Sequence, residues 1–340
     1  MTTSGVYSFS VSRDDVIVEA MHNVGALGES ETPTAQEVTD CARKLNMLTK
    51  QWMGTQDFAP GLKMWTRQRA ALFQSSTQGS IGYYLLGPAS TDDDWAATVT
   101  ALPGQLYGQT QLSANAAAAA TTITVGTGAG KIGNFTAADY VVIQLNSGDT
   151  YSTTVSTINS GAGTFTIPGP GLPSAANANN YVWNYTTKGQ RPLDIVTANL
   201  RDINNNDTPL TRMTVQDYEA LPTKAMPTYI SDPAAFYYET QLPNGRLFLD
   251  VYGEQDVTKH LHFVYLRPVQ DFSAPGDNPE FPQAWYLPLC WGLSKQIAPM
   301  FDAEWTHDME DNLTTSLAIA READSEVSSF YFQPNAVPYP

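Results

Sequence analysis

TAQEVTDCARKLNMLTKQWM, residues 34–53, reads as an amphipathic helix with a written beginning. Thr34 can cap the first free backbone N–H groups. Glu37, three residues on, can bond back to the Thr34 N–H and complete a capping box. Val38, Cys41, Ala42, Leu45, Leu48 and Trp52 recur at three- and four-residue steps and line one face. Gln36, Asp40, Arg43, Lys44 and Lys50 fall mostly elsewhere. A helix of this length cannot bury its stripe alone, so the rest of the chain must supply partners.

Those partners are sought first at the two ends of the chain. Upstream, Ser12 and Asp15 make a second capping box, and Val16, Ile17, Ala20, Met21, Val24 and Leu27 form a stripe over residues 13–27. Gly25 and Gly28 loosen its end. The short GESETPT turn then predicts an antiparallel hairpin of helices 13–27 and 34–53. Downstream, Pro282 opens a helix striped by Trp285, Leu289, Leu293, Ile297 and Met300, which Pro288 and Pro299 are expected to kink or divide. A last helix is expected over residues 306–328, with Met309, Leu313, Leu317, Ala320 and Val327 on one face. Asp308, Glu310 and Asp311 suit the positive end of its dipole. Two helices open the chain and two close it.

Between them the period changes. Strands are expected at 63–73, 79–90, 192–200 and 259–269, a turn at 203–207 and a short helix near 215–221. A hairpin is expected around Pro243-Asn244-Gly245, where Asn-Gly supplies positive φ angles. Asp92, Asp93 and Asp94 read as a solvated acidic turn, because a calcium loop needs a longer, Gly-centred spacing. Residues 106–187 are nearly free of charge and rich in Ala, Thr, Gly and Asn. Short strands recur there, at 121–125, 140–145, 150–158, 164–167 and 181–185, with an alanine-rich lead-in loop at 116–120. The expected fold class is therefore α+β. N- and C-terminal helix pairs would form a discontinuous four-helix bundle, with a β-rich middle and an inserted small β-sandwich or barrel. The expected domains are a core of 1–105 with 188–328, an inserted β-domain at 106–187 and an extended docking tail at 329–340.

Composition narrows the function. The 340-residue chain can bury roughly three-quarters of its unfolded surface. Its charged content of 15% is well below the usual share of about a quarter, and its net charge is −16. An acidic chain is poorly suited to gripping nucleic acid, which takes Lys and Arg to replace counterions. Cys41 and Cys290 lie far apart on apolar helical faces. One disulfide can be drawn, but two buried free thiols fit better. No signal peptide and no membrane span is legible.

Several local patterns are weighed and set aside. GTGAGKIG (126–133) lacks phosphate-loop spacing, and Ile132 stands where Ser or Thr is needed. His22 is a lone histidine with no partner in the pattern. His260 and His262 point to one face of a strand, but no third metal ligand is legible, so no metal and no cofactor is assigned. Glu304 and Asp308 are the carboxylates a wall hydrolase could use, yet both sit at expected helix ends, and no catalytic residue is assigned. Tyr140, Tyr151 and Trp183 leave open a receptor- or glycan-binding role for the insert. SFYFQPNAVPYP, at the C-terminus, is aromatic and broken by proline. It reads as a tail that docks on something.

Taken together, several segments resemble head-to-tail adaptor proteins of short-tailed phages. SRDDVIVEAMHNVGALGESETPTAQEVTDCARKLNMLTKQWMG (12–54) is similar to their opening. YYLLGP (83–88), RPLDIV (191–196), DTPLTRMTVQDYEALP (207–222), FYYETQ (236–241), LHFVYLRPVQDF (261–272) and FPQAWYLPLCWGLSKQIAP (281–299) follow in order. The resemblance covers most of the chain outside 106–187. It implies a structural virion protein, not an enzyme. Such a protein forms a ring, usually of twelve copies, between the portal protein and the tail hub or nozzle. It continues the DNA channel, and tail fibres or capsid are further partners. The family's C-terminal segment engages the portal, which makes Phe330, Tyr331, Phe332 and Tyr339 the portal-binding candidates. Part of the negative charge is expected to face the lumen, where DNA must pass without being trapped.

Overall fold

The computed structural model describes residues 8–28, 30–53, 62, 66–75, 82–222, 232–250 and 257–323. It is mixed α and β. The chain divides into two compact units, Met1–Trp65 with Val269–Pro340, and Thr66–Pro268. The boundaries expected near residues 105 and 188 fall inside the second unit.

Five α-helices lie among the described residues: α1 (Arg13–Asn23), α2 (Ala35–Trp52), α3 (Val215–Glu219), α4 (Tyr286–Ile297) and α5 (His307–Ala323). Both expected capping boxes form, and Thr214 with Asp217 makes a third at α3. The first helix stops at Asn23, not at residue 27. Gly25 takes a φ of +69°; its N–H bonds the His22 carbonyl and the Ala26 N–H bonds the Met21 carbonyl. That pair of bonds is a Schellman ending, which glycine's left-handed φ permits.

In the first unit, α4 packs against α1, α2 and α5, and α1 also touches α2. Ile17, Met21, Leu45, Leu289, Leu293 and Ile297 are fully buried. Gly292 lets α2 approach, since a Cβ there would lie 2.6 Å from the Trp52 ring. Trp52 in turn meets Trp285 with ring centroids 5.9 Å apart. The Ser294 hydroxyl reaches the carbonyls of Cys290 (2.8 Å) and Ala20 (3.2 Å). Cys41 and Cys290 are free and buried, and burial pushes their thiols up to about 11 and about 12. Pro288 does not divide its helix. It sits in the first turn of α4, where the N–H groups have no intrahelical partner anyway. Pro299 lies in the 3-10 turn Ala298–Met300 that follows α4.

The second unit is built of strands. Before the insert come β1 (Arg67–Phe73), β2 (Tyr84–Leu86) and β3 (Trp95–Thr98). Within it are β4 (Gly108–Gln111), β5 (Thr122–Thr124), β6 (Tyr140–Gln144), β7 (Thr150–Thr154), β8 (Thr157–Asn159), β9 (Thr164–Thr166) and β10 (Tyr181–Tyr185). After it follow β11 (Thr187–Lys188), β12 (Asp194–Arg201), β13 (Asp207–Arg212), β14 (Ala235–Glu239), β15 (Gly245–Leu249) and β16 (His260–Leu266).

Nine strands form one sheet in the order β11-β3-β1-β16-β12-β13-β14-β15-β2. Its pairs are antiparallel apart from the short parallel contact of β13 with β14. Leu72, Trp95, Phe236, Leu261, Phe263 and Tyr265 belong to one apolar cluster on it. The β14–β15 hairpin forms as expected, but its turn differs. Leu242–Pro243 is a cis bond, and neither Asn244 nor Gly245 has positive φ. Gly245 is required for another reason: the Tyr238 hydroxyl occupies the place of a Cβ.

The insert contributes two smaller sheets, β4-β10-β6-β7 and β5-β9-β8. Both close on one core containing Ile123, Val141, Ile143, Phe165 and Val182. The single strand expected over 150–158 is two strands in different sheets. The chain crosses between them at Val155, whose N–H bonds Asp139 while the next N–H bonds Thr166.

Candidate functional site

The site is built on the three central strands of the large sheet. Register places Phe73, His260 and Arg201 in one row across β1, β16 and β12. Ala71, His262 and Asn199 form the next row, and Arg69, Val264 and Thr197 the one after. Side chains two apart share a face, so these rows lie on the face opposite Leu72, Leu261 and Leu200.

The insert is seated on the first row. The Trp183 ring lies 4.6 Å from His260 and 5.8 Å from Phe73, and Tyr185 stacks on Phe73 at 5.7 Å. Tyr107 stands edge-on to both histidines, at 5.7 and 5.8 Å. His260 is 2% exposed, and neither of its ring nitrogens has a partner in hydrogen-bond geometry. Burial lowers its pKa to about 3, so the ring is neutral.

Polar groups fasten the same joint. Asp94 accepts hydrogen bonds from the Tyr185 hydroxyl (2.7 Å) and from Ser152. Lys188 Nζ lies 3.9 Å from Asp94 and donates to the Asp92 carbonyl. Asp92 accepts from Asn244 Nδ2 at 2.6 Å and from the Ala89 N–H at 2.9 Å. The acidic turn is therefore not simply solvated, as its local sequence implied. Asp92 is buried, and Asp94 bridges to the insert.

Beyond the first row the face opens into a cleft of about 1130 Å³. His262 and Asn199 of the second row, with Arg69, Val264 and Thr197 of the third, make its floor. Tyr107, Gln109 and Asn134 of the insert make one wall, and the loop around Leu102 and Gln105 makes another. Arg201 donates to Asp207 from Nε (2.6 Å) and Nη2 (2.7 Å), a forked pair across the β12–β13 hairpin. That bond holds Asp207 below the usual carboxylate range and raises Arg201. His262 Nε2 lies 3.3 Å from the Tyr107 hydroxyl. Burial, with Arg201 nearby, lowers His262 to about 4, so it too is neutral at physiological pH.

Several residues singled out from sequence lie elsewhere. Phe330, Tyr331, Phe332 and Tyr339 lie outside the described residues. Trp183 is fully buried in the joint and presents no surface to a ligand. Tyr140 stacks on Tyr185 at 5.1 Å, and Tyr151 packs against the insert core. Glu304 and Asp308 are exposed, before and within the first turn of α5. The glycines of 126–133 take positive φ at Gly126, Gly128 and Gly130 and make a turn leading to the 3-10 turn Ile132–Asn134. His260 and His262 do share a face. Among the described residues no group of three or more His, Cys, Asp or Glu is placed to hold a metal. No described helix is long and apolar enough to cross a membrane.

The cleft residues Tyr107, Gln109, Asn199, Arg201 and Asp207 were not singled out from sequence. A signal was present in DIVTANLR (194–201), where Thr197, Asn199 and Arg201 alternate with Ala198 and Leu200 and mark a polar outer face. The chain matches no protein-family model and no curated protein.

Proposed function

We propose that this chain is a structural subunit of a virion. Its copies form an adaptor ring, expected at twelve copies, between the portal and the tail of a short-tailed phage. The ring continues the DNA channel and offers attachment surface to the tail hub or nozzle, and to tail fibres or capsid. The role is assembly, not catalysis.

One observation carries this reading. The first two and last two long helices fall in a single unit, with α4 packed on α1, α2 and α5. All of Thr66–Pro268 is inserted between the two pairs. That is the order of elements expected from the helical stripes at the two ends of the chain. We read the four helices as a discontinuous four-helix bundle. We read residues 106–187 as a small β-sandwich, since two sheets share one core. A ring subunit needs lateral faces that bury modest area many times over, and low charge suits such repeated contact.

The C-terminal aromatics are the proposed portal anchors, because buried aromatics dominate interface energetics. A chain ending at Ser328 tests this by sedimentation with portal rings. The full chain is expected to co-sediment and the shortened chain to lose most of its binding. Equal binding by the two would remove the anchor role.

A further inference from the structure

We propose that the cleft between the large sheet and the insert binds a neutral oligosaccharide. The inference is independent of the adaptor reading.

Size and shape come first. The cleft, at about 1130 Å³, exceeds the range of about 300–1,000 Å³ usual for small-molecule sites. A second depression of about 490 Å³, bordered by Tyr181, Asn179 and Lys131, shares Gln109 with it. Gln109 lies on β4, the edge strand of its sheet, so the two depressions meet over that edge. A groove with two lobes suits an oligomer of rings better than a single ring.

The lining chemistry selects hydroxyls. Gln109, Asn134, Asn199 and Asn205 carry amides, which combine donor and acceptor atoms; the Gln109 and Asn134 oxygens already accept from Trp183 Nε1 (3.3 Å) and the Gly130 N–H (3.2 Å). Neighbouring hydroxyls on a sugar ring present the same pairing. Tyr107 and Val264 supply the apolar patches that the C–H faces of sugars cover.

Charge argues for a neutral ligand. Arg201 is already bound through both arms to Asp207, and His262 is uncharged. Arg69 and Lys131 are the other cations along the two depressions. A nucleic acid grips through many more phosphate contacts. Among the described residues, Asp207 is the one carboxylate lining either depression, and it is held by Arg201. Glycoside hydrolysis ordinarily takes two carboxylates flanking the bond, so the cleft binds sugar without cleaving it.

Isothermal titration calorimetry on the full chain at neutral pH tests the proposal. The probes are malto-, cello-, chito- and manno-hexasaccharides, with polygalacturonate and a thymidine oligonucleotide as charged comparisons. At least one neutral probe is expected to bind with Kd below about 1 mM. Asn199→Ala is expected to weaken it about tenfold, and Thr197→Ala a few-fold, with melting temperatures unchanged. Both positions lie on the cleft floor, and neither is fully buried. Three outcomes overturn the proposal: no neutral probe binds at about 10 mM, a charged probe binds more tightly than every neutral one, or neither substitution changes the affinity.

Discussion

The core of the insert is mostly aliphatic: Ile123, Val141, Ile143, Val155 and Val182 close around the stacked rings of Phe135 and Phe165. Its joint with the large sheet is made of other material. Phe73, Trp183 and Tyr185 cluster there with Tyr107 and Tyr140, around a neutral buried histidine. Asp94 and Lys188 add charge at the edge. The aliphatic core depends on burial of area, which is indifferent to pH and needs no exact pairing. The joint adds aromatic geometry and groups whose protonation matters. The insert should therefore keep its own fold under conditions that loosen its seat.

The largest expected effect comes from Trp183, the biggest fully buried side chain of the joint. Trp183→Ala removes the ring that touches Phe73 and His260. It should cost about 3–5 kcal/mol in urea unfolding, because a cavity remains where the ring stood. A loss under about 1 kcal/mol would mean that the joint contributes little to stability.

Acid comes next. The folded-state pKa of His260, about 3, lies below its ordinary value of 6.5, so the unfolded chain takes up the proton more readily. Its stabilising share is complete above about 6.5 and is lost as pH falls toward 3. At pH 4 the loss is on the order of 3 kcal/mol. His262 acts in the same direction, and Tyr107, Arg201 and Asp207 are titratable neighbours of this histidine pair. His260→Leu should flatten part of that acid limb in melts recorded from pH 7 to 4. An unchanged limb would show that this ring is not what responds.

Asp94→Asn should cost about 1–3 kcal/mol, since it weakens charge-assisted bonds from Tyr185 and Ser152. The smallest effect sharpens the contrast from the other side. Ile123→Val in the insert core should cost about 0.5–1.5 kcal/mol and leave the pH profile as it was.

The same contrast explains what could be read from sequence. Capping boxes at Ser12 and Thr34 are local, three residues across, and both were legible. So were short strands bounded by turn residues, such as β6 and β10. The strand β4 was missed because its inward residues, Gly108 and Thr110, are too small to make an apolar signal. The acidic turn was misread because its partners are remote. Ser152, Tyr185 and Asn244 lie 58, 91 and 152 positions away from the aspartates they bond. The cleft is remote in the same sense: its floor comes from β1, β12 and β16, and one wall from the insert. His260 and His262 were correctly placed on one face by period two alone. That one is buried in rings and the other opens on a cleft depends on what covers the strand.

The central claim concerns assembly, and electron microscopy tests it most directly. Purified chain would be mixed with purified portal rings and imaged. The account predicts a collar of about twelve copies added to one end of the portal. Bare portal rings under both low and high salt would contradict it.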